Sequence, residues 1–288
     1  MQELLNYLKT KKISIISPAG KIKKDLLDKS IAFFAKNGIN LNVMPHVFDE
    51  KTEEIYLASS LENRVSDFIQ AWESSDIILC ARGGYGCAEL ADTINWKKLQ
   101  KNDTIVIGYS DVTALHMAML RNCKGIAING MMALKFLELA QNRLNSDSLL
   151  QALQQKNSFD FSEKLTFFKG NFDKISENQK FITANLAVLS SLCGTPLMPD
   201  FTGKILVVED INEPPYKLDR YLTQLAQNGV LSQLKGLIFG EFINCGSEDE
   251  IDFVFQKFAV KVNGLVAKNF PFGHGENVYS LYSTTCHK

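Results

Sequence analysis

The chain has 288 residues, of which 45% are hydrophobic and 22% charged, so it can bury one large core or two smaller ones. Its 31 basic and 32 acidic residues give a net charge of −1, and no basic stripe predicts binding to nucleic acid or to an anionic membrane. No apolar run approaches the roughly 18 residues of a membrane span, and the first residues lack the charge order of a signal peptide.

Strands and helices alternate through the first half of the chain. The apolar patterns predict strands at 12–17, 39–43, 76–80, 105–108 and 125–129. Helices are predicted at 24–37, 61–73, 87–95 and from 111 onward. This alternation predicts an α/β fold with a doubly wound, mostly parallel sheet, in which ligands sit beyond the carboxyl ends of the strands.

The second half begins with a looser pattern between about 137 and 175, where 141–147 and 169–173 are interpreted as loops. A second α/β unit follows. Its predicted helices are at 185–193, 217–228 and 248–261, and its predicted strands at 204–208 and 236–239. We therefore expect an N-terminal domain at 1–136, a linker region at 137–180 and a smaller C-terminal α/β domain at 181–288.

Ser110 marks a change from strand to helix periodicity. Residues 105–108 are apolar like a short buried strand, whereas Val112, Leu115 and Met119 recur at helical spacing. A serine on a sharp strand-to-helix turn presents its hydroxyl outward, beside backbone N–H groups and the positive end of the helix. Ser110 is therefore a candidate nucleophile, with a helix N-cap as the simpler alternative.

A serine nucleophile requires a base, and the chain has four histidines. His116 follows Ser110 in the same predicted helix and points away from the turn. His46 lies in a loop without a supporting pattern, and His287 is the penultimate residue, where chains fray. His274 stands between two glycines, which suits a backbone that must approach another group closely. It is the favoured base, and a surface loop histidine is the alternative.

Acidic residues follow the predicted strand at 204–208. Glu209 and Asp210 end its apolar run, and Glu213 comes shortly afterwards. A histidine base needs a carboxylate to orient it, and the order Ser, Glu, His also occurs in other α/β serine hydrolases. The segment is a candidate third member of a triad, although a strand end that meets water would have the same sequence.

A glycine-rich turn, Arg82-Gly-Gly-Tyr-Gly86, follows the predicted strand at 76–80. It lacks the spacing of the common phosphate-binding loops. Its backbone N–H groups would suit an oxyanion or a carboxylate instead. Because this turn and Ser110 both follow strands of the predicted parallel sheet, they are expected at the same edge.

The six cysteines are scattered through apolar segments and form no Cys-x-x-Cys pair. This usage predicts reduced, mostly structural thiols in a cytoplasmic protein. No cluster of residues has the ligand spacing of a zinc site, so neither a metal nor another cofactor is predicted.

Several segments together resemble the L,D-carboxypeptidases of the muramoyl-tetrapeptide carboxypeptidase family, to which the microcin C self-immunity peptidases also belong. They are residues 82–86, 107–115, 185–189, 203–210, 213–220 and 273–275. The match runs in order over about residues 12–280. The resemblance implies a flavodoxin-like N-terminal domain, a smaller C-terminal α/β domain and a site between them.

The resemblance also implies roles for individual residues, with Ser110 as nucleophile, Glu209 as orienting acid and His274 as base. The oxyanion hole would be formed by the backbone N–H of Asp111 and by that of Gly83 or Gly84. The expected substrate contacts are Arg82, Tyr85 and Asn185. The usual substrate is the L-Ala-γ-D-Glu-meso-diaminopimelate-D-Ala tetrapeptide of recycled cell wall, which loses its terminal D-Ala in the cytoplasm. Members are commonly homodimers.

Some segments depart from the family pattern. Asn129-Gly-Met-Met132 stands where His-Gly-Pro-Met is frequent, and Thr183-Ala-Asn-Leu186 stands where Gly-Gly-Asn-Leu is frequent. The tail after His274 lacks the usual Leu-Pro-Leu-Gly continuation, which predicts an irregular last strand. Two alternatives therefore stay open: an immunity-type serine amidase acting on aminoacyl-nucleotide antibiotics, and a non-catalytic module that binds a small anion.

Overall fold

The computed structural model describes residues 1–49, 52–139, 141–157, 165–171 and 179–283. The strands are β1 (Ile13–Ile16), β2 (Leu41–Val43), β3 (Ile77–Cys80), β4 (Ile105–Gly108), β5 (Ile126–Asn129), β6 (Thr166–Lys169), β7 (Phe181–Asn185), β8 (Ile205–Ile211), β9 (Gly236–Ile243), β10 (Leu265–Lys268) and β11 (Leu281–Ser283). The helices are α1 (Gln2–Leu8), α2 (Lys24–Lys36), α3 (Leu61–Ser74), α4 (Cys87–Thr93), α5 (Thr113–Asn122), α6 (Phe136–Leu139), α7 (Arg143–Leu153), α8 (Leu186–Ser191), α9 (Pro215–Gln227), α10 (Val230–Gln233) and α11 (Glu248–Ala259).

The first sheet has the strand order β11-β5-β4-β3-β1-β2. Its strands are parallel except for β11, which runs antiparallel to β5. Every residue of β1, β3 and β4 is buried, as expected for a parallel sheet covered by helices on both faces. The order 2-1-3-4-5 is that of flavodoxin-like folds, so the predicted fold class is confirmed.

The second sheet has the order β6-β10-β9-β8-β7 and is also parallel, apart from β6 at its edge. The two sheets are joined where β7 lies beside β11. Thr183 of β7 donates its backbone N–H to the Ser283 hydroxyl at 3.1 Å, and the two hydroxyls lie 2.9 Å apart. The backbone N–H of Asn185 then donates to the Thr113 hydroxyl of α5 at 2.9 Å. The predicted domain limits at 136 and 180 stay a prediction.

The start of the second unit was predicted wrongly. Residues 181–185 form β7, and the helix α8 begins only at Leu186, whereas the sequence predicted a helix from 185. The Asn185 side chain explains the boundary because it caps α8 by accepting from the backbone N–H of Val188 at 3.1 Å. The strands β6 and β10 were also not predicted.

The loop predicted at 141–147 is wrong, since α7 begins at Arg143. Asn142 is its N-cap and accepts from the backbone N–H of Asn145 at 3.3 Å. The loop predicted at 169–173 begins on β6, and its last two positions lie outside the described residues. The prediction of an irregular last strand is wrong for its described residues, since β11 pairs with β5 without a register shift, and positions 284–288 of the tail lie outside the described residues. The Asn157 side chain holds the other edge of β11 by binding both the N–H and the C=O of Tyr282.

Four cysteines (80, 87, 193 and 245) are free thiols. Cys123 forms a disulfide, so the prediction of reduced thiols is wrong at that position. None of the helices in the described ranges combines the length and the apolar character that crossing a bilayer would require.

Candidate active site

Ser110 occupies a strained turn between β4 and α5. Its φ is +62°, in the left-handed region that a non-glycine residue enters at a cost of about 1–3 kcal/mol. Gly108 permits the turn, because a Cβ there would lie 2.7 Å from a methyl carbon of Val112. Ser110 is not a side-chain cap: a 3-10 turn begins at Ser110 itself, and Val112 precedes α5. Its side chain is half-buried at the carboxyl end of β4.

The glycine-rich turn after β3 lies directly against Ser110. A Cβ on Gly83 would be 3.1 Å from the Ser110 Cβ, 3.2 Å from its Oγ and 3.4 Å from the Asp111 backbone nitrogen. The Gly83 carbonyl accepts from the N–H of Gly20, so it is directed towards the turn after β1. Within the described part of the chain, the N–H groups of Gly83 and Gly84 have no acceptor.

Two side chains fix the position of this edge. Asp111 accepts from the backbone N–H of Cys87 at 2.9 Å, which ties the serine turn to the start of α4. Burial raises the pKa of Asp111, and this hydrogen bond opposes the rise. Arg64 of α3 is 2% exposed and donates to the carbonyls of Ser59, Pro18 and Gly86 at 3.0–3.1 Å. Arg64 was not predicted from the sequence. Its signal is its spacing of four residues from the buried Phe68 on α3.

Glu209 and His274 form the central polar pair of the site. Glu209 lies in β8 and is fully buried, and its Oε2 is 2.6 Å from Nδ1 of His274. The His274 side chain is 16% exposed, and its ring stands edge-to-face against Tyr109 with centroids 4.9 Å apart. With Nδ1 directed to the carboxylate, Nε2 is the ring nitrogen left for a proton transfer. Burial raises the pKa of Tyr109, and the Glu209 charge adds to the rise.

A β-bulge brings His274 to Glu209. β8 advances two residues from Val208 to Asp210 while β9 advances three from Phe239 to Phe242, so β9 contains one additional residue. At this bulge the backbone N–H of Glu241 donates to the Phe272 carbonyl at 2.8 Å. The segment that carries His274 is thereby attached to β9.

The two glycines beside His274 allow this close approach. Gly273 has φ +137°, and a Cβ there would lie 3.0–3.2 Å from three atoms of Glu209. A Cβ on Gly275 would collide with the Glu241 carboxylate. The loop therefore approaches other groups closely, as expected, and these groups are the carboxylates of Glu209 and Glu241.

Asn185 links Glu209 to its neighbour Asp210. Its Nδ2 donates to Glu209 Oε1 at 3.3 Å and to Asp210 Oδ1 at 3.0 Å, while its Oδ1 caps α8. Asp210 also accepts from the backbone N–H of Ala187 at 2.9 Å. Burial raises the pKa of Asp210 to about 6, and the adjacent Glu209 charge adds to the rise. The amide that the sequence predicted as a substrate contact thus makes its hydrogen bonds within the protein.

Glu241 is a second residue that the sequence analysis missed. Its Oε2 is buried without a hydrogen-bond partner among the described residues. Burial raises its pKa, the Glu209 charge adds to the rise, and the Gly275 N–H and His274 oppose it. No pattern around position 241 distinguishes it from a strand residue that faces water.

The remaining sequence candidates lie apart from the pair formed by Glu209 and His274. His116 is fully buried, contacts the Val106 carbonyl at 3.2 Å, and burial lowers its pKa to about 4. His46 pairs with Asp67 at 2.8 Å, and His287 lies outside the described residues. The exposed Arg82 donates to the carbonyls of Gly83 and Lys21. In the described residues, no group of three or more potential metal ligands is arranged around a common point.

The two halves of the site face each other without a direct bond in this state. Among the described residues, no hydrogen bond joins the Ser110 hydroxyl to His274. Catalytic hydrogen bonds are frequently long in the absence of substrate and shorten when it binds. The arrangement comprises a half-buried hydroxyl on a strained turn, glycine amides beside it and an oriented imidazole, which are the parts needed for acyl transfer.

Comparisons with known proteins cover nearly the whole chain. Residues 13–130 match the family described as LD-carboxypeptidase N-terminal domain, and residues 179–285 match the LD-carboxypeptidase C-terminal domain. A protein of Rickettsia conorii is 33% identical over 286 residues, covering 96% of this chain and 87% of its own length. The murein tetrapeptide carboxypeptidase of Pseudomonas aeruginosa is 28% identical over 277 residues, covering 92% of this chain and 88% of its own length.

Solved structures agree with these matches. The crystal structure of muramoyltetrapeptide carboxypeptidase from Oxalobacter formigenes superposes with a TM-score of 0.80 at 26% identity, covering 94% of this chain and 92% of its own. MccF in complex with glutamyl sulfamoyl guanosine gives a TM-score of 0.77 at 18% identity, covering 94% of this chain and 90% of its own. At that identity the likeness to MccF concerns the fold alone.

Proposed function

Because the chain belongs to the LD-carboxypeptidase family, we propose that it is a serine carboxypeptidase that releases the terminal D-Ala of a murein tetrapeptide. The observation that carries this proposal is the 2.6 Å contact between Glu209 and His274, whose ring packs against Tyr109, the residue before the strained Ser110. Relatives whose names refer to murein tetrapeptides support the choice of substrate.

In the proposed reaction, Nε2 of His274 removes the proton of the Ser110 hydroxyl, and Oγ attacks the carbonyl carbon of the L,D peptide bond. Glu209 accepts the hydrogen bond of Nδ1–H, which fixes the tautomer and stabilises the imidazolium. His274 then returns the proton to the departing amine of D-Ala. Water hydrolyses the acyl-enzyme with His274 again acting as base, and Ser110 is regenerated.

The negative oxygen of the intermediate would be held by two backbone donors, the N–H of Asp111 and a glycine N–H from Gly83 or Gly84. The contact of Gly83 with Ser110 and the unpaired amides of its turn support this assignment. Each such donor is worth about 2.7–4 kcal/mol in the transition state.

Substrate recognition is proposed for the exposed side chains of the same turn. Arg82 begins the turn whose Gly83 touches Ser110, and its guanidinium donates to the carbonyls of Gly83 and Lys21; it would bind the carboxylate at the end of the substrate. Tyr85 would contact the rest of the peptide. We also propose that the protein acts in the cytoplasm on recycled murein peptides, as a homodimer, and that it needs no cofactor.

The test is to incubate the protein with muramoyl tetrapeptide and, separately, with its D,D-pentapeptide analogue, and to identify the products by mass spectrometry. We expect wild type to release one D-Ala from the tetrapeptide and none from the pentapeptide. His274→Ala should release D-Ala from neither substrate. An aminoacyl sulfamoyl adenosine is the third substrate. Hydrolysis of that compound alone would replace the proposal with the amidase alternative, and hydrolysis of none of the three would favour the non-catalytic one.

A further inference from the structure

Two exposed tyrosines form a pair at the rim of the glycine-rich turn. Tyr56 and Tyr85 are 60% and 61% exposed, and their ring centroids are 5.7 Å apart with an interplanar angle of 73°. An edge-to-face pair of this kind leaves a ring face open to a ligand. Single exposed aromatic residues are ordinary on protein surfaces, but a contacting pair beside a candidate site indicates binding.

The backbone beneath Tyr56 is firmly held. The Tyr56 carbonyl accepts from the N–H of Lys21 at 3.1 Å, and the N–H of Ala58 donates to the Ala19 carbonyl at 2.8 Å. These bonds attach the segment of Tyr56 to the turn that follows β1. The exposed ring therefore projects from an ordered base, which lowers the entropy that a ligand must remove on binding.

Tyr85 is held in a comparable way from the other side. It stands between Gly84 and Gly86, with φ +128° and +121°. A Cβ on Gly86 would lie 2.7 Å from a methyl carbon of Leu57 and 2.8 Å from Nη1 of Arg64. The buried Arg64 thus fixes the loops of both tyrosines at once.

The distance from the nucleophile restricts what these rings can contact. Tyr85 is two residues from Gly83, which touches Ser110. With about 5 Å from Oγ to the Gly83 Cα, about 3.8 Å for each of two residues and about 4 Å from the Tyr85 Cα to its ring centre, the Tyr85 ring lies within roughly 16 Å of Oγ. The Tyr56 ring, whose centroid is 5.7 Å from that of Tyr85, lies within roughly 22 Å. A three-residue peptide spans about 10 Å when extended. These limits leave the rings within reach of a group attached to the amino end of the three residues that remain on the acyl side.

We propose that Tyr56 and Tyr85 form a subsite for the sugar ring attached to the amino end of the peptide, a deduction that rests on the proposed function. A pyranose presents a face of C–H groups to an aromatic ring and hydroxyls to the phenol oxygens, which serve as donors and acceptors. A flat nucleobase is better matched by parallel rings than by two rings at 73°. The subsite makes the enzyme prefer glycan-bearing peptides over free tetrapeptide.

The experiment compares N-acetylmuramoyl tetrapeptide with the free tetrapeptide in wild type and in the double variant Tyr56→Ala/Tyr85→Ala. An aromatic contact contributes roughly 2- to 10-fold in binding. We therefore expect kcat/KM to fall about tenfold more for the glycan-bearing substrate than for the free peptide, mainly through KM. The double Phe variant keeps the rings and should recover most of the difference, and circular dichroism establishes that each variant is folded.

Phe253→Ala is the matched control, because Phe253 is 71% exposed on α11, away from the glycine turn. It should not change the ratio between the two substrates. An equal loss on both substrates, or no loss, would overturn the sugar subsite while leaving the carboxypeptidase proposal intact. If wild type hydrolyses neither substrate, binding of N-acetylmuramoyl-L-alanine is measured by NMR line broadening. The subsite is supported if wild type binds this compound and the double variant does not. It is overturned if wild type does not bind the compound, or if the double variant loses binding of adenosine monophosphate instead.

Discussion

Replacing Gly273 by alanine tests whether the approach of the His274 loop to Glu209 is essential. The new Cβ would lie 3.0, 3.1 and 3.2 Å from the Cβ, Oε2 and Cγ of Glu209, whereas ordinary contacts begin at 3.4 Å. The loop and the carboxylate must therefore separate by a few tenths of an ångström or more. The φ of +137° adds strain of about 1–3 kcal/mol for a residue with a side chain.

The expected effect on catalysis is larger than the effect on stability. A misplacement approaching 1 Å in a catalytic constellation costs up to about 100-fold, so we expect kcat/KM of Gly273→Ala to fall about 10- to 100-fold. The free energy of unfolding, measured by urea denaturation, should fall by about 1–3 kcal/mol. Turnover is followed as D-Ala released from muramoyl tetrapeptide.

Gly203→Ala provides the control. Gly203 also has a positive φ, +69°, but nothing lies within 4 Å of a Cβ there. It should lose about 1–2 kcal/mol of stability from the backbone alone and keep its kcat/KM. The reasoning is refuted if Gly273→Ala keeps kcat/KM within twofold of wild type, or if both variants lose the same activity.

Three further changes test the groups that support the site. Asn185→Ala removes the donor shared by Glu209 and Asp210, so kcat should fall about tenfold while KM stays nearly constant. A rise in KM with an unchanged kcat would instead identify Asn185 as a substrate contact. Arg64→Lys leaves buried carbonyls without donors and should lower the free energy of unfolding in urea by about 2–4 kcal/mol, and an unchanged midpoint would contradict this. Burial raises the pKa of Asp210 from 3.8 to about 6, so between these values only the folded state keeps the proton. Raising the pH from 4 to 7 should then destabilise wild type by about 2.4 kcal/mol relative to Asp210→Asn. A constant difference between the two unfolding curves would count against it.

The sequence predicted the central strands of the first sheet because they are buried on both faces. The short apolar runs of β1, β3 and β4 favour strands over helices. Their alternation with helices predicts that the strands are parallel. The turn at Ser110 was recognisable for a related reason, since periodicity changes there within two residues. The Gly-His-Gly loop could be singled out by its glycines, although its partners could not be known.

The second half was harder to predict because local patterns there were ambiguous. Residues 181–189 are a nearly continuous apolar run that suits a strand or a helix, and only the capping amide of Asn185 divides them. α7 begins with polar residues, so its first turn was interpreted as a loop. The spacing of Arg64 from Phe68 indicates only that it faces inward. Its contacts with carbonyls of distant loops, and the contact of Glu241 with the His274 segment, are tertiary and are not revealed by sequence spacing.

The most direct test of the account is whether Ser110 becomes acylated. Enzyme mixed with muramoyl tetrapeptide is quenched in acid, and the intact protein and its proteolytic fragments are weighed by mass spectrometry. We predict an adduct with the mass of the muramoyl tripeptide acyl group on the fragment that contains Ser110, formed as D-Ala is released and absent in Ser110→Ala. Release of D-Ala by Ser110→Ala at the wild-type rate, or an adduct on another residue, would contradict the proposed mechanism.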